Sequence, residues 1–179
     1  MAEPAGGIVW LTGLSGAGKT TLARHVQARL RGAGRAAVVI DGDALRAGLS
    51  SDLGFSMQDR LANVTRAAHV ARLLADDGVV ALVALISPLE QHRQAAREIC
   101  REQPFVMVHV DVPLAVAEAR DVKGLYRRAR AGHIADLTGV QSAYEVPAAP
   151  DLRVSGDAQP LERAGDQVLA ALSRARPQD

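Results

Sequence analysis

The stretch Gly13-Leu14-Ser15-Gly16-Ala17-Gly18-Lys19-Thr20 constrains this chain more than any other feature. It has the form G-x-x-x-x-G-K-[ST], the P-loop pattern, and its flanks supply the context that pattern needs. Ile8-Val9-Trp10-Leu11 is an apolar run suited to a buried strand. Residues 21–30 read as an amphipathic helix with Leu22, Val26, Arg29 and Leu30 near one face. Glycines between strand and helix let backbone N–H groups turn toward phosphate oxygens, and the helix N-terminus adds partial positive charge. Lys19 is then placed to reach the β- and γ-phosphates of a nucleoside triphosphate, and the Thr20 hydroxyl to ligate Mg²⁺. A glycine turn that binds nothing is the plainer alternative. It does not account for the Lys and Thr that follow the last Gly without a gap.

The rest of the chain alternates. Apolar runs at 36–40, 79–86 and 105–110 read as buried strands, and 152–154 as a last short one. Helical periodicity occupies 57–77, 89–101 and about 160–176, with a short turn at 44–49 and a short helix from Pro113 to about Arg120. This order predicts an α/β fold of three layers, a parallel sheet with helices on both faces, in one domain spanning 1–179. Residues 121–150 break the pattern. Glycines and prolines recur there, and Lys123, Arg127, Arg128, Arg130 and His133 crowd its first half. A stretch this long in a compact domain is either functional or disordered.

Composition narrows the partners. Aromatic residues are 3% against 48% hydrophobic, so the core must be built from Ala, Val, Leu and Ile. A net charge of +1 gives no whole-molecule argument for nucleic acid or membrane binding. The single cysteine, Cys100, excludes an internal disulfide and fits a reducing compartment. Residues 1–7 lack the basic and apolar regions of a signal peptide, and no apolar run approaches the ~20 residues of a membrane span. The expectation is a cytoplasmic protein with a small-molecule substrate.

Three clusters add chemistry to the P-loop. Asp41-Gly42-Asp43 follows a strand's carboxyl end, where open α/β sheets bind ligands. A carboxylate there suits accepting a hydroxyl proton or holding water on Mg²⁺, and equally suits capping the next helix. Arg46, Arg60, Asn63 and Arg66 form the second cluster, with Phe55 as an apolar plate for a base. Arg60, Asn63 and Arg66 recur at three-residue spacing, either facing an anionic acceptor or forming a solvated basic face. The third is the basic segment 123–130, which either folds over phosphates and excludes water or forms a disordered basic loop.

Taken together, these residues resemble the adenylylsulfate kinases. The match runs in order through Gly13 to Thr21, Asp41-Gly42-Asp43-Ala44-Leu45-Arg46, Asp52-Leu53-Gly54-Phe55-Ser56, Asp59-Arg60, Ile86-Ser87-Pro88 and Lys123-Gly124-Leu125-Tyr126. The resemblance implies transfer of the ATP γ-phosphoryl group to the ribose 3′-hydroxyl of adenosine 5′-phosphosulfate, giving 3′-phosphoadenylyl sulfate. It implies that Gly13, Leu14, Ser15, Gly16, Ala17, Gly18, Lys19, Thr20 and Thr21 hold ATP, with Mg²⁺ on Thr20. It further implies Asp41 as base with Asp43 close by. Arg46, Arg60, Asn63 and Ile86 would bind the acceptor, and Phe55 would stack on its adenine. Ser87 matches a serine to which the family assigns a phosphoserine intermediate, and Lys123 with the following segment matches the family's mobile lid, here about 121–147. A homodimer is also implied.

The chain departs from the family on the acceptor side. Ala62 and Thr65 stand where the family usually has Glu and Arg, and Gln141 and Ala143 replace Asp and Pro. Leu137 replaces the lid Phe that closes the second face of the adenine. An aromatic stack is worth roughly 0.5–1.5 kcal/mol beyond area burial, so its loss weakens binding by about tenfold at most. Two other readings follow from these departures. One is a kinase of the same family with a different small anionic acceptor. The other is a nucleotide-binding module without turnover, which the presence of Lys19, Thr20, Asp41 and Asp43 disfavours.

Overall fold

The computed structural model describes residues 6–177, so the reading of the N-terminal segment falls largely on residues 1–5, outside the described residues. Among the described residues five strands form one parallel sheet in the order β2-β3-β1-β4-β5. They are β1 (Gly7–Thr12), β2 (Ala37–Asp41), β3 (Val80–Ala84), β4 (Phe105–Asp111) and β5 (Leu152–Ser155). The P-loop strand β1 is central, with Val9 in register with Leu82 on one side and Val106 on the other.

Both faces of the sheet are covered, which is why β1 is buried at every position and runs apolar from Ile8 to Leu11 rather than alternating. Val9 and Leu11 join the core under α1 (Lys19–Gly32) and α7 (Leu161–Arg174). Ile8 and Trp10 point the other way, toward α3 (Met57–Asp76) and α4 (Glu90–Ile99). Four alanines of α3, at 67, 68, 71 and 75, lie against the sheet with at most 3% exposure. Small side chains let the helix approach closely, a consequence of a chain so poor in aromatics.

The predicted elements are present, with three differences. Arg29 is not on the buried face of α1; that face is Leu22, Ala23, Val26 and Leu30, and Arg29 pairs with Asp166 of α7 at 2.6 Å. The strand expected over 79–86 ends at Ala84, because the Thr12 hydroxyl, at 2.6 Å, takes the Ile86 carbonyl away from the ladder. Within 121–150 lies a six-residue helix, α6 (Leu125–Arg130), entered through Gly124 at φ +64°. It is too short to show a period. Two further short helices, α2 (Gly42–Ala47) and α5 (Leu114–Arg120), follow β2 and β4.

The consequence for function is positional. The P-loop leaves the carboxyl end of β1, Asp41 and α2 leave that of β2, the turn 86–88 follows β3, and α5 and α6 follow β4. All of them converge at one end of the sheet, where doubly wound folds bind ligands.

Candidate active site

The P-loop glycines are required by backbone geometry. Gly13 has φ +150°, and a Cβ there would collide with the Val110 carbonyl. Gly18 has φ +100° and faces open space, so a phosphate can approach its backbone closely. Lys19 Nζ donates to the carbonyls of Gly13 at 2.9 Å and Leu14 at 2.7 Å. Burial, and then the nearby charge of Lys123, lower its pKa to about 7, against the opposing pull of Asp41 and Asp43.

Thr20 Oγ1 donates to Asp41 Oδ2 at 2.6 Å. The other oxygen of Asp41 accepts the Asp43 amide at 2.9 Å and so caps α2. Burial pushes the Asp41 carboxyl upward. The Thr20 hydroxyl, the amides of Asp43 and Ala44 and the charge of Lys123 outweigh it and hold the pKa below the usual carboxylate range. Capping therefore falls to Asp41, while Asp43 pairs with Lys123 across the cleft.

The cleft encloses about 580 Å³. Ser15, Gly16, Gly18, Lys19, Thr20 and Thr21 line it, together with Asp41, Asp43, Arg46, Phe55, Arg60, Asn63, Ile86, Ser87, Lys123 and Leu137. Asp43 and Arg46 stand one turn apart on α2, so the carboxylates and the basic wall are contiguous. Three residues of the motif do not line the cleft. Gly13 contributes its carbonyl to Lys19, and Ala17 is fully buried in the core. The Leu14 side chain lines a separate hollow with Leu114 and residues 139–144.

The residues expected on the acceptor side are arranged around Phe55, which is 57% exposed. The Arg46 guanidinium lies 4.4 Å from the centre of its ring and donates to the Gly54 carbonyl at 2.8 Å. Arg60 is buried and fully engaged: it donates to the carbonyls of Phe55 (2.8 Å) and Asp136 (2.6 Å) and to the Thr138 hydroxyl (2.8 Å). It thus joins α3 to the 121–147 segment. Asn63 is buried, and among the described residues its Oδ1 has no hydrogen-bond partner. Arg66 does not join this wall. It pairs with Asp52 through two bonds of 2.6 and 2.8 Å at the surface. Each three-residue step on a helix drifts by about 60°, so two steps carry Arg66 well off the face of Arg60.

The basic segment also divides. Lys123 and Arg128 line the cleft, whereas Arg127 turns to Asp121 at 3.5 Å and Arg130 to Glu118 at 2.8 Å. Ser87 is 2% exposed and adopts φ +39°; its hydroxyl accepts the Trp10 indole N–H at 3.1 Å. Leu137 is 7% exposed, packed in the core on one side and lining the cleft on the other.

Sequence reasoning missed two residues. The Tyr126 hydroxyl donates to the Ser15 carbonyl at 2.9 Å, and burial lifts its pKa to about 12, which keeps it a donor. Arg120 donates to the carbonyls of Gly16 at 3.2 Å and Gly156 at 2.9 Å. Tyr126 lay inside a matched motif and carried a signal. Nothing in the spacing around Arg120 marks it. A phosphate cradle, a hydroxyl–carboxylate pair and a basic wall around one cleft suit phosphoryl transfer to an anionic acceptor.

Comparison with known proteins agrees with that chemistry. The family model described as "Adenylylsulphate kinase" matches residues 5–155. An adenylyl-sulfate kinase from Paraburkholderia xenovorans is 52% identical over 172 residues, 96% of each chain. The Mycobacterium tuberculosis APS kinase CysC, solved in complex with AMPPNP and APS, superposes with a TM-score of 0.92 at 46% identity, over 95% of this chain and 99% of that one. A hexameric APS kinase from Thiobacillus denitrificans superposes with a TM-score of 0.71 at 34% identity, over 96% of this chain and 29% of that one. The P-loop, the carboxylates beyond β2 and the basic wall thus occur in a chain that belongs to the adenylylsulphate kinase family.

Proposed function

We propose that this chain transfers the γ-phosphoryl group of ATP to the 3′-hydroxyl of adenosine 5′-phosphosulfate. The observation that carries the reading is the contiguity of Thr20, Asp41, Asp43 and Arg46 in one cleft, which joins the phosphate cradle to the acceptor wall. Phosphoryl transfer passes through a loose transition state, so alignment and charge stabilisation do most of the catalysis. The P-loop amides and Lys19 hold the ATP phosphates. Asp41 accepts the acceptor proton, and Asn63, Arg46 and Arg60 orient the phosphosulfate. Phe55 stacks on the adenine, with Ile86, Ser87 and Leu137 along the pocket. Lys123 leaves Asp43 for phosphate as residues 121–147 act as a lid.

The Thr20 hydroxyl is a hard oxygen donor of the type Mg²⁺ takes alongside phosphates and water, and would hold the ion beside the phosphate cradle. Bound there, the ion would neutralise phosphate charge. The Ser87 hydroxyl, bonded to Trp10, is read as a support of the site rather than a phosphate carrier, because in-line transfer needs no covalent enzyme intermediate. A homodimer and a cytoplasmic location complete the proposal, the first tested by light scattering on the purified chain. The activity is tested by incubating the chain with ATP, Mg²⁺ and adenosine 5′-phosphosulfate and weighing the product. Formation of 3′-phosphoadenylyl sulfate supports the reading. ATP binding without that product would move the chain to a different acceptor.

A further inference from the structure

We propose that Arg93 is a positioning residue for the acceptor: it clamps from behind the turn 86–88 that lines the cleft. Arg93 stands on the inner face of α4 and is 1% exposed. A buried guanidinium is a poor way to fill a core, since an apolar side chain of similar size does so without desolvating a charge. Its contacts account for its presence. It donates to Glu90 Oε2 through two nitrogens, at 2.7 and 3.2 Å, and through a third to the Ser87 carbonyl at 2.8 Å. Its charge also lies 5.9 Å from the centre of the Tyr144 ring.

The turn it holds is strained and held at every carbonyl. Ile86 accepts from the Thr12 hydroxyl at 2.6 Å, Ser87 from Arg93, and Pro88 from the Glu145 amide at 2.8 Å. Glu145 returns a bond of 2.6 Å from the first amide of α4, and the Tyr144 hydroxyl lies 3.2 Å from Thr12 Oγ1. Ser87 sits at φ +39°, a conformation a non-glycine residue keeps only when its surroundings over-determine it. With its carbonyls drawn to the back, the turn presents Ile86, Ser87 and Pro88 to the cleft beside Arg60 and Asn63. Arg93 is the node that joins this turn to α4 and to the far end of the 121–147 segment. It touches neither the P-loop nor the carboxylates of α2 in the contacts above. Its effect therefore belongs to the acceptor and not to ATP, a statement that rests on the function proposed above.

The test compares the full chain with its Arg93→Met and Arg93→Lys variants, by amide hydrogen exchange and by steady-state kinetics. Arg93→Met is expected to speed exchange across 86–90. It should also raise KM for adenosine 5′-phosphosulfate by about tenfold, the scale of losing one charge-assisted hydrogen bond, with KM for ATP changed by less than about twofold. Arg93→Lys keeps the charge but replaces the three nitrogens that reach Ser87 and Glu90 with one, so its acceptor KM should lie between the two; it also carries the test if Arg93→Met does not fold. Both KM values rising together, or exchange at 86–90 unaltered, would overturn the clamp. A wild-type chain that leaves adenosine 5′-phosphosulfate untouched counts against the proposed function alone, because the exchange comparison still decides the clamp.

Discussion

Asp41 holds a helix in place and, in the proposed reaction, also takes the acceptor proton. One oxygen caps α2 and the other accepts from Thr20. Asparagine caps a helix as well as aspartate does, so Asp41→Asn should leave the fold intact and isolate the chemical role. We expect turnover to fall by about 10²-fold or more, the range of a lost general base, with ATP affinity changed far less. Equal losses in titration calorimetry and turnover would make Asp41 a binding residue. Lys19 gives a pH dependence. In the free protein it loses its proton through about pH 7, and bound phosphates favour the charged form. ATP affinity should thus be level below pH 7 and fall as pH rises above it, with proton uptake visible in buffers of different ionisation enthalpy. Leu137→Phe should tighten adenosine 5′-phosphosulfate binding by up to about tenfold, by restoring a second stacking surface; an unchanged dissociation constant would mean that this position does not face the base.

Among the elements, the strand–loop–helix of the P-loop was legible because its conformation is dictated locally, by Gly13 and Gly18 and by an apolar run buried on both faces. What could not be read depended on contacts between distant segments. Arg66 shares the three-residue spacing of Arg60 and Asn63, and the pairing with Asp52, 14 residues away, is what decides for the solvated face over the cleft. The strand β3 stops two residues short of its apolar run because Thr12, 74 positions earlier, withdraws the Ile86 carbonyl. The helix α6 was hidden by its length, and the partner of its Tyr126 lies 111 residues away. That bond ties α6 to the phosphate loop. Tyr126→Phe should therefore raise KM for ATP several-fold, on the order of the 0.5–1.5 kcal/mol of a neutral hydrogen bond, with little change in KM for the acceptor. Steady-state kinetics with each substrate varied in turn would check this.

On the scale of the whole molecule, the sheet and its two flanking cores should open last. The segment 121–147 has one short helix and an isolated bridge, Thr138 to Ser142, as its regular structure. Amide exchange is expected to be slowest in β1, β3 and β4 and fastest in 131–147, with the latter slowing when a non-hydrolysable ATP analogue and the acceptor are added together. Uniform protection before and after ligand would remove the argument for a lid. The cations around the cleft carry a thermodynamic consequence of their own. Lys19, Arg46 and Arg60 all have partners within the chain before any anion arrives. Their rotamers are fixed on folding, which lifts from binding an ordering cost of roughly 0.5–1.5 kcal/mol for each long side chain. Anions then enter by exchanging partners with groups already in place. The heat of binding should be small for so many charged contacts, and the entropy less unfavourable than a flexible basic pocket would give.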